Sequence, residues 1–114
     1  MSYLNRAKFE ILKSAGTASI GASYATIGTP LTEPAVVITF KNQTNGDVVV
    51  STDGTNDYLT FPANSYGVYD IRTNAPLTSD FMFPKGTQFY VKDGTTPSTT
   101  GTFYIEAIII TPNS

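Results

Sequence analysis

The sequence predicts an all-β protein, a small antiparallel β-sandwich. Two observations carry that reading. Through residues 35–74 apolar and polar side chains alternate with a period of two, and turn residues at Asn45-Gly46, Asp53-Gly54 and Pro62-Ala63 cut the runs short. Asn-Gly and Asp-Gly between alternating runs are strong short-range hairpin signals. The runs also recur at the spacing of roughly 8–12 residues expected of sandwiches and barrels.

Residues 3–13 fit two patterns. As a strand, Ala7, Phe9 and Ile11 alternate with Lys8, Glu10 and Leu12. As a helix, Leu4, Ala7, Ile11, Leu12 and Ala15 share a face between a Ser2 cap and a Gly16 stop. The strand is preferred on consistency with everything downstream.

Residues 15–31 are mostly Ala, Gly, Ser and Thr, with Ile20, Tyr24 and Ile27 as large apolar residues. They read as an arm or as a pair of thin strands. Pro30 and Pro34 then bracket a non-helical connection. This divides a single domain into a strand and small-residue arm over 1–34 and a sandwich core over 35–114.

Within the core, Val36, Ile38 and Phe40 alternate with Val37, Thr39 and Lys41, and Val48 and Val50 with Val49 and Ser51. Tyr58 to Phe61 stops at Pro62, and Tyr66 to Ile71 resumes after the corner, with Tyr66, Val68 and Asp70 expected to face the core. Phe81-Met82-Phe83 cannot all face one side of a strand, so at least one is expected to touch another sheet, a loop or another subunit. Phe89 and Val91 alternate with Gln88, Tyr90 and Lys92. Residues 93–101 form the most polar loop, expected to be mobile. Ala107 to Ile110 reads as buried on both faces. The whole is a jelly-roll-like sandwich with an N-terminal arm or edge strand.

Composition narrows the function. With 114 residues the chain buries about two thirds of the surface its unfolded form exposes, enough for one modest core. It has no cysteine and no histidine. That removes disulfides, thiolate sites, the usual general base and the commonest metal ligand. Seven basic and nine acidic residues leave a net charge of −2, which gives no basic stripe for nucleic acid. Charged residues are 14% of the chain, against a usual share of about 25%. Thr, Ser, Asn and Tyr take the polar positions, a surface suited to protein or carbohydrate contact. The opening residues MSYLNRAKFE place charges where a signal peptide needs an apolar core. No apolar run approaches the ~20 residues of a membrane span.

Asp53, Asn56 and Asp57 form the densest group of oxygen donors and are the candidate metal ligands, for Ca²⁺. The distal bidentate Glu of an EF-hand is missing, and the same residues make a hairpin turn whose side chains bind nearby amides. The turn is the reading taken, with no metal and no cofactor expected. Asp70, with Arg72 or Arg6 as a partner, is a structural carboxylate on this reading. Seven Tyr residues, Tyr58, Tyr66, Tyr69, Tyr90 and Tyr104 among them, serve either as cross-strand pairs or as an exposed platform for sugars. No motif of nucleophile activation, phosphate cradling or metal ligation is present, so no enzyme is expected.

A longer-range pattern runs from Tyr24-Ala25-Thr26-Ile27-Gly28-Thr29-Pro30-Leu31 through the strand at Val36 to Phe40. It continues in Asn42-Gln43-Thr44-Asn45-Gly46-Asp47, Ser51-Thr52-Asp53-Gly54-Thr55-Asn56-Asp57, Pro62-Ala63-Asn64-Ser65, Tyr69-Asp70 and Thr73-Asn74. Gly86-Thr87-Gln88-Phe89-Tyr90-Val91-Lys92 and Tyr104-Ile105 complete it. This resembles a group of small virion structural proteins of tailed bacteriophages, of the capsid-decoration or head–tail joining type. The resemblance implies a non-enzymatic particle component made in the host cytoplasm. Its partners would be capsid, portal or neck proteins and further copies of itself, with no nucleic acid and no membrane. Tyr3, Phe9, Ile11, Tyr24, Phe81, Met82 and Phe83 are the expected contact residues. The 15–31 segment would order on assembly, and the 3–13 strand would extend a neighbour's sheet. The alternative is a carbohydrate-binding or host-recognition module resting on the tyrosines.

Overall fold

The computed structural model describes residues 5–70 and 83–112. Among these described residues nine strands run in order: β1 (Asn5–Phe9), β2 (Lys13–Gly16), β3 (Ala25–Ile27), β4 (Ala35–Thr44), β5 (Val48–Ser51), β6 (Leu59–Phe61), β7 (Ser65–Asp70), β8 (Phe89–Asp93) and β9 (Gly101–Pro112). A 3₁₀ turn at Thr17–Ser19 follows β2. All pairings are antiparallel.

β1 and β2 are one edge strand interrupted by a bulge. Phe9 lies opposite Ile108 and Lys13 opposite Ile105, so four steps on the edge match three on β9. Glu10 still donates its amide to Ala107. The extra residue sits within 10–12 and turns Ile11 and Leu12 out to solvent. The strand reading of residues 3–13 therefore stands where it is described, with a break the period of two does not show.

With β1–β2 counted as one strand, the first strand pairs with the last, β3 with β8, β4 with β7, and β5 with β6. The chain is one long hairpin rolled over itself. The β4–β9 and β5–β8 pairings close two sheets, β1/β2-β9-β4-β7 and β3-β8-β5-β6. This is the jelly-roll arrangement.

The sheets meet through Ile38, Phe40, Phe103 and Ile105 on one side and Val48, Val50, Phe61, Phe89 and Val91 on the other. Phe40 is the centre, with ring centroids of Phe61 at 5.2 Å, Tyr69 at 5.7 Å and Phe89 at 5.9 Å. The first pair is stacked and the other two edge-on, arrangements that add to plain area burial.

Residues 15–31 are built into the sandwich and not held out as an arm. Ala15, Ile20, Ile27 and Leu31 all lie in the core cluster. The small residues between them let the edge strand and β3 pass close to each other.

Two assignments of facing are reversed. Tyr66, Val68 and Asp70 face outward, and Gly67 and Tyr69 face the core. Gly67 lies over Phe61, where a Cβ would stand 3.0 Å from the ring. A glycine is the inward residue here, so its missing side chain hid the true parity. In β9, Ala107 and Ile109 are buried while Ile108 and Ile110 are half-exposed on the outer face.

The polar loop 93–101 is tied to the β4–β5 turn. The Asp47 amide donates to the Thr96 carbonyl, the Gly94 amide donates to the Asp47 carbonyl, and the Asn45 carboxamide oxygen accepts from the Thr99 and Thr100 amides. Asp93 caps Ser98 from within the loop. Every buried side-chain nitrogen and oxygen among the described residues has a partner, as expected of a well-formed core.

Candidate functional site

The two sheets differ in what covers their outer faces. On the β3-β8-β5-β6 sheet the 52–57 loop folds back over β8. Gly54, at φ 74°, lies against the Tyr90 ring. Beneath this loop Ser51 is fully buried and Val49 is nearly so.

Asp53 organises the loop. Its Oδ1 accepts from the Ser51 hydroxyl (2.8 Å) and the amides of Thr55 (2.8 Å) and Asn56 (2.9 Å). Its Oδ2 accepts from the Asn56 carboxamide (2.9 Å) and the Tyr58 hydroxyl (2.8 Å). The Asn56 and Thr55 amides, then the Asn56 and Tyr58 side chains, hold its pKa far below the ordinary carboxylate value.

Asp57 accepts from Tyr24 and pairs with Lys92 at 3.2 Å, and both lower its pKa, Tyr24 the more strongly. Lys92 also stands 4.7 Å above the Tyr24 ring. Both Asp53 oxygens and the Asp57 Oδ1 are thus engaged by donors and by an ammonium group. Tyr24, expected at an interface, is held inside this arrangement. Among the described residues no group of three carboxylates converges elsewhere.

The outer face of the β1/β2-β9-β4-β7 sheet is bare among the described residues. Its register sets three rows. Phe9, Ile108, Val37 and Asp70 lie across the four strands in one row. Glu106, Thr39 and Val68 form the next, then Ser14, Tyr104, Lys41 and Tyr66. Phe9 is 81% exposed, Tyr66 74% and Val68 55%. The Lys41 ammonium meets Glu106 at 2.9 Å in the middle of this face. Beside Tyr66, a cleft of about 580 Å³ is lined by Lys41, Gln43, Asn64 and Ser65.

Of the residues expected to make contacts, Phe9 and Ile11 are exposed, Ile11 at the bulge. Phe83 bridges to Ala35 and packs against the core. Tyr3, Phe81 and Met82, like Arg72, lie outside the described residues. Tyr66, weighed in the sequence as one member of an exposed tyrosine platform, is exposed, whereas Val68, Leu12, Val37 and Ile108 were missed as surface residues. Gly67 was the available signal, since a glycine between two large residues can mark the inward position over a ring.

No helix among the described residues is long and apolar enough to cross a membrane. Comparison with protein-family models, with curated proteins and with solved structures returns no match for this chain.

Proposed function

We propose that this chain is a non-enzymatic structural component of a tailed-phage virion, at the capsid surface or the head–tail junction, and that it works through protein–protein contact. One observation carries the contact role: one sheet is partly covered by its own loop, over Ser51 and Tyr90, while the other presents Phe9, Val68 and Tyr66 exposed and Val37 and Ile108 half-exposed, uncovered by described residues. Exposed large apolar side chains gathered on one face are a mark of an interaction site. The virion assignment rests on the resemblance of the turns and strands, and a jelly roll is a fold that capsid and lectin domains share.

The contact is face-on. The bulge at 10–12 and the exposed Lys8 blunt the edge that strand addition would need. Mass spectrometry of purified particles of the encoding phage tests the assignment. The chain is expected in stoichiometric amount with capsid or neck proteins, and its absence from intact particles refutes the reading.

A second reading is supported by the cleft beside Tyr66. An exposed ring next to Gln43, Asn64 and the Lys41–Glu106 pair offers an apolar plate with flanking polar groups, the combination a sugar uses. Binding on a glycan array that is lost in Tyr66→Ala would favour it over the structural role.

A further inference from the structure

We propose that the outer face of the β1/β2-β9-β4-β7 sheet is the interface between two copies of this chain, related by a two-fold axis passing between Lys41 and Glu106. The inference rests on the protein-contact reading above and names the occupant of that face.

Charge is the first argument. Lys41 on β4 and Glu106 on β9, the two central strands, lie 2.9 Å apart. A two-fold axis lying in the plane of contact and running between them sets each lysine opposite the other copy's glutamate. An isologous interface needs this kind of self-complementary patch. A partner of either strong charge would gain from one member of the pair and be repelled by the other.

Area is the second. Four strands at about 4.8 Å spacing, and the ten residues of β4 at about 3.4 Å each, give a face of about 650 Å² in plan. Side-chain relief brings that close to the roughly 800 Å² per partner of a standard interface.

Shape is the third. From Val37 along β4 the register is unbroken, a pleated surface with β-branched and aromatic side chains in rows, so a second sheet can stack on it at about 10 Å, as the two sheets of the sandwich already do. Phe9 and Ile108 at one end, and Tyr104 and Tyr66 on either side of Lys41, then surround the ion pairs.

Sedimentation velocity of the purified full chain over a concentration series tests this. The wild type is expected to show a reversible monomer–dimer equilibrium. Val68→Lys, on the face, should weaken the dimer at least tenfold. Thr60→Lys, exposed on the other sheet, should leave it unchanged. Lys41→Glu should also weaken it, and the double reversal Lys41→Glu/Glu106→Lys should restore it, because signs invert on both copies together. Lys41 and Glu106 are solvent-facing, so an unchanged far-UV spectrum and a single cooperative thermal transition confirm that the variants fold, the melting temperature itself falling as the dimer weakens. A monomer up to the highest soluble concentration, a trimer or larger ring, or a Val68→Lys dimer as tight as wild type each overturns the proposal. A chain that is monomeric in solution yet present in particles would overturn the two-fold contact and leave the virion role standing.

Discussion

Lys13 lies across Gly28. Its aliphatic stem occupies the space where residue 28 would carry a side chain, with a Cβ there falling 2.6 Å from the Lys13 Cγ and 2.9 Å from its Cβ. Gly28 is also in the left-handed region, at φ 67°. The contact lets a lysine that is only 2% exposed deliver its ammonium group to the Thr29 carbonyl, a partner of the kind a buried lysine needs. Gly28→Ala combines backbone strain with a clash against atoms near the root of the side chain. It should cost about 2 kcal/mol in urea unfolding. In a Lys13→Ala background the loss should shrink by at least about 0.5 kcal/mol, leaving the part due to φ and to the residue 13 Cβ that alanine keeps.

Asn42 should be the most sensitive polar residue of the core. It is fully buried, and its carboxamide nitrogen reaches the carbonyls of Gly46 (2.9 Å), Phe61 (2.8 Å) and Pro62 (3.0 Å). Its oxygen accepts from the Thr44 amide (3.0 Å) and hydroxyl (2.6 Å). One side chain thereby ties the end of β4 to the next turn and to the end of β6. Asn42→Leu keeps the volume but leaves several carbonyls without their donor, so a loss of about 3 kcal/mol is expected. The urea midpoint should fall with an unchanged slope, since the core itself remains.

What the sequence shows and hides follows from how far apart the interacting residues lie. The alternation in β4 and β5 is local and bounded by Asn-Gly and Asp-Gly, so those strands are readable directly. Ala15, Ile20, Ile27 and Leu31 are core residues separated by small ones. Their burial depends on β8 and β9, some sixty to ninety positions away, and no local period reports it. The facing of β7 was misread because Gly67 contributes no side chain to the pattern. The candidate surface was half legible. Phe9 and Ile11 stood out as apolar residues on an edge strand, whereas Val68, Val37 and the Lys41–Glu106 pair become one face only through the β4–β7 and β4–β9 registers.

Asp53 should govern acid stability. Its depressed pKa means that the folded chain holds the carboxylate charged more firmly than the unfolded chain, whose value is near 3.8. The sign follows from linkage: the contribution is complete above that value and is lost as pH falls through and below it. Asp53→Asn cannot accept from both Asn56 and Tyr58 with its amide nitrogen, so the melting temperature at neutral pH should drop. The fall in melting temperature below about pH 4 should also flatten relative to wild type. Thermal melts between neutral and strongly acid pH check both, and a parallel acid limb in the two proteins would refute the assignment.

Tyr24 should set the alkaline limit from the same loop. Burial, then its hydrogen bond to Asp57, pushes its pKa well above the ordinary 10.0, and the Tyr58 hydroxyl is raised by its bond to Asp53. A raised value in the fold means that the unfolded chain loses the phenolic proton first. The stabilisation is therefore whole below pH 10 and disappears as pH climbs past it. Tyr24→Phe keeps the ring beneath the Lys92 ammonium and removes only the hydroxyl. Because the site is partly open to solvent, the loss at neutral pH should be no more than about 1 kcal/mol. Above pH 10 the variant should lose stability less steeply than wild type. Urea midpoints at neutral pH and above pH 10 decide it. If the gap between the two proteins stays constant across that range, the Tyr24–Asp57 bond does not hold the loop.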